Sequence, residues 1–370
     1  MVYIKMMKTY NKLPQPDLAI LVGVGVKQTI DEASLDELSS LCKTCNIHEV
    51  GRLIQNRNDV DVTWFIGKGK VEELKILVEQ TEANAVVFDV ELSGSKVRNL
   101  EKELGVPVLD RSKIILDIFA SRAQSMEGKL QVELAQLNYN LPRLVGAGGL
   151  MSKMKNAVGM RGPGEKKLEL DKRKIKEEIS SLEKQIRKLS DNRQLNKKQA
   201  FKSGQRRVCL VGYTNSGKST LLNALSKENV LAEDMLFATL DPKTARIYVP
   251  SDDGIGAQVL LTDTVGFIDK LPHEFINAFE STLDEARTTD LLLHVVDISN
   301  EQYNQQIAVV DAVLAKIGAS DVPTLLVLNK VDALSPVALK QIEKEFKGKP
   351  YVLISARKNV GLDDLKAKLV

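Results

Sequence analysis

Apolar runs alternate with amphipathic stretches in the first third of the chain. Four runs at residues 18–26, 49–55, 85–90 and 106–109 are predicted to be β-strands. Stretches with helical spacing lie between them, among them residues 33–45, 71–79 and 96–104. Strands and helices in this order are typical of a parallel sheet with covering helices.

The middle of the chain shows helical periodicity with one narrow apolar seam in each of two stretches, residues 114–141 and 165–195. Two such seams joined by one loop predict a long antiparallel helical hairpin. The seam residues recur at alternating spacings of four and three: Leu130, Leu134, Leu137 and Leu141 in the first stretch, and Ile175, Ile179, Leu182, Ile186 and Leu189 in the second.

An alternating pattern returns after the hairpin and continues to the last residue. The predicted fold class is therefore α/β, with an N-terminal α/β domain at 1–111 and a helical hairpin with a glycine-rich basic loop at 112–204. The third domain, 205–370, is predicted to contain a mostly parallel sheet.

Positive charge is concentrated in one segment. The chain has a net charge of +3, but residues 151–207 hold 18 Lys and Arg against 7 Asp and Glu. Such a field attracts polyanions, of which nucleic acid is the commonest in the cytoplasm. The joining loop adds six glycines, so it is flexible as well as basic. A solvated charged helix and a plain flexible linker are the alternatives. The basic residues of the loop are Arg143, Lys153, Lys155 and Arg161.

Composition points to the cytoplasm and against stable membrane insertion. The longest apolar run, residues 18–26, is far shorter than the roughly 20 residues that span a bilayer, and residues 1–15 contain no secretion signal. Three cysteines are too few for a disulfide framework. Cys42 and Cys45 form a lone C-x-x-C that lacks further zinc ligands, and we assign them no role.

A phosphate-binding loop is predicted after the strand at 208–211. The pattern G-x-x-x-x-G-K-S lets backbone N–H groups point at phosphates, while Lys218 reaches the outer phosphates and Ser219 binds magnesium. The predicted nucleotide contacts in this loop are Gly212, Tyr213, Thr214, Asn215, Ser216, Gly217, Lys218, Ser219 and Thr220.

Two further segments are predicted to respond to the terminal phosphate. Asp263 and Gly266 form a D-x-x-G motif, in which the carboxylate is expected to hold Mg²⁺ through a water and the glycine backbone to sense the terminal phosphate. Residues 237–242 are the candidate first switch. There we assign Thr239 to magnesium and the terminal phosphate, with Thr244 as the alternative and a plain surface loop as the competing interpretation. The predicted catalytic set is Lys218, Thr239 and Gly266, and the predicted metal set is Ser219, Thr239 and Asp263.

Guanine is predicted to be read by Asn329, Lys330 and Asp332. A carboxylate accepts both N–H donors on one edge of guanine, whereas adenine has an acceptor there. Ser355, Ala356 and Arg357 fit the further loop whose backbone contacts the guanine oxygen. The motifs in this order predict a Ras-like P-loop GTPase domain that converts GTP to GDP and phosphate.

These motifs, together with G-K-G-K-V-E at 67–72, R-G-P-G-E at 161–165, F-A-T-L-D-P at 237–242 and D-T-V-G-F at 263–267, resemble the HflX family of GTPases. The resemblance covers most of the chain. It implies a two-part N-terminal region before the G domain, binding to the large ribosomal subunit and its rRNA, and a role in splitting or rescuing stalled ribosomes. We expect a monomer when the protein is free of the ribosome.

The resemblance also bears on how water is activated. Phe267 follows Gly266 where many small GTPases have a glutamine that orients water, and a phenyl ring cannot do this. In potassium-dependent GTPases that resemble this chain, the asparagine at the position of Asn215 helps to hold K⁺. We therefore expect K⁺ beside Mg²⁺ and slow hydrolysis without a partner.

Two other functions stay open. One is an RNA-remodelling or RNA-modification accessory GTPase with a second nucleotide site at residues 67–70, although a tight helix-entry turn explains that sequence too. The other is a binding protein whose nucleotide is structural.

Overall fold

The computed structural model describes residues 17–27, 29–143, 163–200, 205–226, 236–237, 240–249, 256–271, 275 and 280–369. The chain divides into two compact units. The first contains Met1–Ser121 and Val132–Gln185, and the second contains Arg122–Gln131 and Ile186–Val370. The three-domain division from the sequence stays a prediction.

The first unit contains a four-stranded parallel sheet in the order β2-β1-β3-β4. The central strands are apolar on both faces because helices cover the sheet, and all four residues of β3 are buried. Its strands are β1 (Leu18–Val26), β2 (His48–Arg57), β3 (Ala85–Phe88) and β4 (Val108–Asp110), and its helices include α1 (Glu32–Thr44), α2 (Lys68–Thr81), α3 (Gly94–Leu104) and α4 (Arg111–Arg122).

The first helical stretch is interrupted, so the continuous pattern expected over residues 114–141 is wrong in this respect. Helix α4 ends at Arg122 and a new helix, α5 (Met126–Arg143), begins after three residues. Ser125 starts the new helix, because its hydroxyl accepts a hydrogen bond from the Gly128 amide at 2.9 Å.

Helix α6 (Pro163–Ala200) carries the second apolar seam. Within the first unit, Leu134 and Leu137 of α5 and Ile175 and Leu182 of α6 are buried. Burial raises the pKa of Glu133, and the nearby charge of Glu178 raises it further. The two helices therefore face each other, while the loop predicted to join them, residues 144–162, lies outside the described residues.

Arg143 does not serve as a free charge of the basic loop, contrary to the sequence analysis. Its guanidinium lies over the Tyr139 ring and donates to Asp110 Oδ2 at 2.8 Å and to the Leu92 carbonyl at 2.8 Å. The Asp110 carboxylate is fully buried and needs this cation. Arg143 is thus part of the first unit's core, because its long side chain reaches carboxylates distant in sequence.

Residues 67–70 form the entry to helix α2. The Gly67 amide donates to Gln55 Oε1 at 2.9 Å, and the Gly67 carbonyl accepts from the amides of Lys70 and Val71. Lys70 forms an ion pair with Glu73 at 2.8 Å. These contacts match the helix-entry turn and add no support for a second nucleotide site.

The second unit contains a six-stranded sheet in the order β10-β9-β8-β5-β7-β6, parallel except for the antiparallel β6–β7 pair. A mixed α/β fold with a mostly parallel sheet is thereby confirmed. The strands are β5 (Arg206–Val211), β6 (Lys243–Val249), β7 (Ala257–Asp263), β8 (Leu291–Asp297), β9 (Thr324–Asn329) and β10 (Tyr351–Leu353), and the helices are α7 (Lys218–Ser226), α8 (Glu280–Arg287), α9 (Tyr303–Lys316), α10 (Pro336–Glu345) and α11 (Leu362–Ala367).

The C-x-x-C cysteines lie in surroundings that suppress thiolate chemistry. Burial raises the pKa of Cys42 and of Cys45 to about 12 in each case. At neutral pH both are thiols, which are poor nucleophiles and poor metal ligands. Among the described residues, no helix is both long and apolar enough to cross a membrane.

Candidate nucleotide-binding site

The predicted nucleotide residues meet at one edge of the second sheet. They lie in loops that follow the carboxyl ends of β5, β7, β9 and β10. In open α/β sheets this edge is where ligands bind, because the loops there form a crevice between oppositely running connections.

The loop after β5 has the backbone of a phosphate-binding loop. Gly217 adopts φ +94°, and a Cβ at this position would overlap Asn329 Nδ2. A Cβ at Gly212 would likewise overlap the Val295 carbonyl oxygen. Both positions therefore require glycine, and the turn between them brings the loop amides to the start of helix α7.

Lys218 is held at the centre of this loop. Its Nζ donates to the carbonyls of Gly212 at 3.0 Å and Tyr213 at 2.8 Å, and the side chain is buried. Burial lowers the pKa of Lys218 to about 8, while the charge of Asp263 acts in the opposite direction. A buried cation of this kind is costly unless an anion joins it, so the site favours phosphate.

Two hydroxyl groups in the same loop are buried without a hydrogen-bond partner in the part of the chain that the structure describes. Thr214 Oγ1 and Ser216 Oγ have no hydrogen-bond partner among the described residues, and each residue is at least nine-tenths buried. Buried polar atoms are normally satisfied, so unpaired atoms beside Lys218 fit a polar ligand such as a phosphate chain.

Ser219 and Asp263 are in direct contact. Ser219 Oγ donates to Asp263 Oδ2 at 2.7 Å, and Asp263 is fully buried. A hydroxyl and a carboxylate in contact suit Mg²⁺, which takes few protein ligands and completes its shell with phosphates and water. Among the described residues, no group of three or more His, Cys, Asp or Glu forms a separate metal cage.

The D-x-x-G segment is bound directly to the phosphate loop. The Phe267 amide donates to the Gly212 carbonyl at 3.1 Å, and the Thr214 amide donates to the Phe267 carbonyl at 2.7 Å. A Cβ on Gly266 would lie 3.0 Å from Lys218 Nζ, so the glycine backbone is next to the lysine. The Phe267 ring is 2% exposed and belongs to the core.

Asp332 is fixed by a second loop. Ser355 Oγ donates to Asp332 Oδ1 at 2.6 Å. This hydrogen bond, with help from Lys358 and Arg357, holds the pKa of Asp332 below its usual range. The carboxylate is therefore ionised at neutral pH and can only accept hydrogen bonds, as recognition of two guanine N–H groups requires.

Asn329 connects three loops through one side chain. Its Nδ2 donates to the Ser216 carbonyl at 2.8 Å, and its Oδ1 accepts from the Ala356 amide at 3.0 Å. The phosphate loop and the loop at 355–357 are thus held by one amide. Because the Ala356 amide is used here, the guanine contact predicted for Ser355, Ala356 and Arg357 stays a prediction.

Sequence reasoning missed Asp297, at the carboxyl end of β8. Its Oδ2 lies 2.6 Å from Lys330 Nζ, and its Oδ1 accepts from the Ser299 amide at 3.0 Å. The ion pair therefore fixes the side chain of Lys330, whose backbone is in the left-handed region at φ +66°. The available signal was an acidic residue ending a buried parallel strand, a usual position for ligand-site residues.

The structure describes only some of the residues predicted for the first switch. Thr239 lies outside the described residues, so its magnesium and catalytic roles stay predictions. Thr244, the alternative, lies in β6, where its hydroxyl is 2.9 Å from that of Thr262. Thr220 lies in the first turn of α7, and Asn215 is exposed with φ +60°, a conformation that asparagine tolerates.

A buried histidine lies in the same sheet. His294 of β8 is 1% exposed, its Nδ1 has no hydrogen-bond partner among the described residues, and the nearest carboxylate oxygen, on Asp311, is 3.7 Å away. Burial, with a contribution from the charge of Lys218, lowers the pKa of His294 to about 4. The imidazole is therefore neutral in the fold at physiological pH.

We expect the second unit to lose stability in mild acid. The unfolded chain binds a proton at His294 with a pKa of about 6.5, whereas the folded chain resists it down to about 4. Stability is thus complete above about pH 6.5 and falls as the pH drops toward 4, by roughly 2 kcal/mol at pH 5.

Hydrogen-exchange protection of the β8 amides, corrected for intrinsic exchange, measures this loss. His294→Gln should remove most of the pH dependence, whereas His48→Gln, at an exposed histidine, should leave it unchanged. The same pH dependence in wild type and His294→Gln would contradict the assignment.

Models of three protein families match the chain in succession. "GTP-binding GTPase N-terminal" matches residues 32–120, "GTP-binding GTPase Middle Region" matches 122–200, and "50S ribosome-binding GTPase" matches 207–330. The order of the three matches follows the order of the regions in the sequence.

Two relatives that match most of the chain carry one description. The chain is 46% identical to GTPase HflX of Caldanaerobacter subterraneus subsp. tengcongensis over 94% of this chain and 78% of the relative. It is 39% identical to GTPase HflX of Escherichia coli K12 over 96% of this chain and 83% of the relative. Among solved structures, the chain is 26% identical to SsGBP in its GDP complex, covering 95% of this chain and 97% of that chain with a TM-score of 0.49.

Proposed function

The chain belongs to the HflX family of GTPases, and from this membership we propose that it is a switch that binds the large ribosomal subunit and promotes splitting or rescue of ribosomes. As a member of this family, the chain hydrolyses GTP, and the ribosomal role is our proposal. We further propose that the protein acts in the cytoplasm and is monomeric when free.

The ribosomal proposal is carried by the match of residues 207–330 to a model described as a 50S ribosome-binding GTPase. A second observation supports it. The segment 151–207 has a large excess of Lys and Arg, as expected of a surface that neutralises rRNA phosphates.

The geometry supports distinct tasks for the residues around the phosphates. Lys218, held by two loop carbonyls, would stabilise negative charge on the outer phosphates. Gly266, next to Lys218, would offer its amide to the terminal phosphate, so that the presence of that phosphate changes the position of the D-x-x-G segment. Asp332 would select guanine from the opposite end.

Ser219 and Asp263 would hold Mg²⁺, with Thr239 as the proposed third oxygen ligand. The ion would neutralise charge that develops on the phosphate oxygens during hydrolysis. The Ser219–Asp263 hydrogen bond orients both oxygens in advance.

We expect GTP turnover to be roughly tenfold or more faster in potassium than in sodium at equal ionic strength. The buried Phe267 ring offers no group that orients water, and Asn215 is placed on the exposed rim of the phosphate loop, where it would hold K⁺ as a substitute for an arginine finger. Phosphate release in the two salts measures the effect.

Asn215→Gly should remove the potassium advantage while GDP affinity stays within about twofold, because glycine adopts the same positive φ and the loop amides remain in place. Equal wild-type rates in the two salts would remove the K⁺ proposal and leave the Mg²⁺ proposal standing.

Sedimentation of the full-length protein with ribosomes tests the function. With a non-hydrolysable GTP analogue, the protein should co-migrate with the large subunit, and 70S particles should decrease in favour of free subunits. With GDP, binding should be weak. Binding to small subunits alone, or equal binding with both nucleotides, would overturn the proposal.

A further inference from the structure

The carboxylate of Asp241 lies at the N-terminus of helix α5, within the second unit. Its Oδ2 accepts hydrogen bonds from the backbone amides of Gln124 at 3.1 Å and Ser125 at 2.9 Å. Its Oδ1 accepts from the Ser125 hydroxyl. The same hydroxyl accepts from the Gly128 amide, so one carboxylate organises the first turn of the helix.

This contact is a closely fitted one. A helix N-terminus presents amides without intrahelical partners and a partial positive charge, and a carboxylate satisfies both. A Cβ on Gly128 would lie 2.5 Å from Asp241 Oδ1, so a larger residue would push the carboxylate away. The sequence places glycine where the approach is tightest.

Asp241 belongs to the segment proposed as the first switch, residues 237–242. Of its described residues, Phe237 and Leu240 have buried side chains, at 2% and 3% exposure. Two residues after Asp241, Lys243 pairs with Asp263 across the antiparallel β6–β7 ladder. The carboxylate that caps α5 is therefore connected, through two residues and one strand pair, to the proposed magnesium ligand.

Helix α5 begins in the second unit and continues, from Val132 onward, in residues of the first. A change at its first turn is thus made at the start of a continuous 18-residue helix.

We propose that Asp241 is a positioning residue that couples the nucleotide state of segment 237–242 to helix α5, by changing the hydrogen bonds that its carboxylate accepts from Gln124 and Ser125. The proposal rests on the switch role proposed for this segment and is independent of ribosome binding. When the segment moves between the GTP and GDP states, the cap on α5 is formed in one state and weakened in the other.

Hydrogen exchange of the full-length protein, with GDP and with a non-hydrolysable GTP analogue, tests the coupling. In the wild type, the amides of Gln124 and Ser125 should exchange at rates that differ by about fivefold to tenfold between the two nucleotides, the size expected for loss of one helix cap. In Asp241→Ala, both states should exchange at the faster rate. Asp241→Asn, which keeps the shape and one acceptor oxygen, should give a smaller difference than the wild type.

Asp363→Ala is the matched control, since Asp363 is an exposed aspartate in the first turn of α11 in the same unit. It should leave the nucleotide-dependent exchange at Gln124 and Ser125 unchanged. GDP binding by each variant shows that the fold is intact.

The outcomes separate the coupling from the switch role. If residues 237–242 respond to nucleotide and the amides of Gln124 and Ser125 do not, the coupling is wrong and the switch role stands. If residues 237–242 do not respond, the switch role itself is wrong and the coupling falls with it. A nucleotide-dependent difference that persists in Asp241→Ala would overturn the proposal, whereas a merely structural cap would lower protection equally in both states.

Discussion

Replacing Asp332 by asparagine is expected to weaken GTP binding by about 10- to 100-fold, from the roughly 1 to 3 kcal/mol cost of an unsatisfied buried donor. In the proposed site, the ionised carboxylate would accept two N–H groups of guanine, and Ser355 holds the carboxylate in place. An asparagine offers one acceptor and places an N–H₂ donor against a second donor. Direct titration of the full-length protein with labelled GTP measures the loss.

The same variant should gain affinity for xanthosine triphosphate, because xanthine presents an acceptor where guanine has its amino group. The reversal distinguishes loss of recognition from loss of folding. Asp363→Asn, at an exposed aspartate, is the control and should bind GTP as the wild type does. Unchanged GTP affinity in Asp332→Asn, or a wild-type preference for ATP, would show that the base is read elsewhere.

Alanine at Lys153, Lys155 and Arg161 together is expected to weaken ribosome binding by about 100-fold. Each lost charge-assisted contact to a phosphate costs roughly 1 kcal/mol or more. The variant also releases fewer counterions when it binds. The three residues lie outside the described residues, so the prediction rests on the charge and glycine content of the sequence. GTP affinity should not change, and the salt dependence of binding should become shallower.

Lys184→Ala with Lys188→Ala is the matched control on the exposed side of α6, and it should have a much smaller effect. Arg143 is not replaced in this variant, because its guanidinium is bound to Asp110 and its loss would destabilise the first unit. Intact ribosome binding in the triple variant, with loss in the α6 variant, would move the contact from the loop to the helix.

Local patterns predicted most of the strands and the order of the nucleotide motifs. Strand β3 lies within an uninterrupted apolar run, and the loop at 212–219 follows a strand and precedes a helix, so each is visible in a short window of sequence. What the sequence did not predict depends on partners far along the chain. The break before α5 involves Asp241, 116 residues after Ser125, and Arg143 finds Asp110 across 33 residues. No periodicity reports such pairs.

The candidate site shows the same division. The nucleotide motifs at Gly212–Ser219, 329–332 and 355–357 were predictable, because each motif places its functional groups within a few residues of one another. The ion pair between Asp297 and Lys330 and the buried His294 were not, since they arise from neighbouring strands β8 and β9 that meet only in the sheet.

Asn329 narrows which substitutions the site can accept. Its amide donates to Ser216 and accepts from Ala356, so aspartate loses the donor and leucine loses both. Glutamine has the right groups, but its extra methylene must fit where Nδ2 already excludes any side chain at residue 217. Positions 217 and 329 therefore constrain each other in evolution: a side chain at 217 would require a shorter residue at 329, which would give up the carboxamide that bridges Ser216 and Ala356.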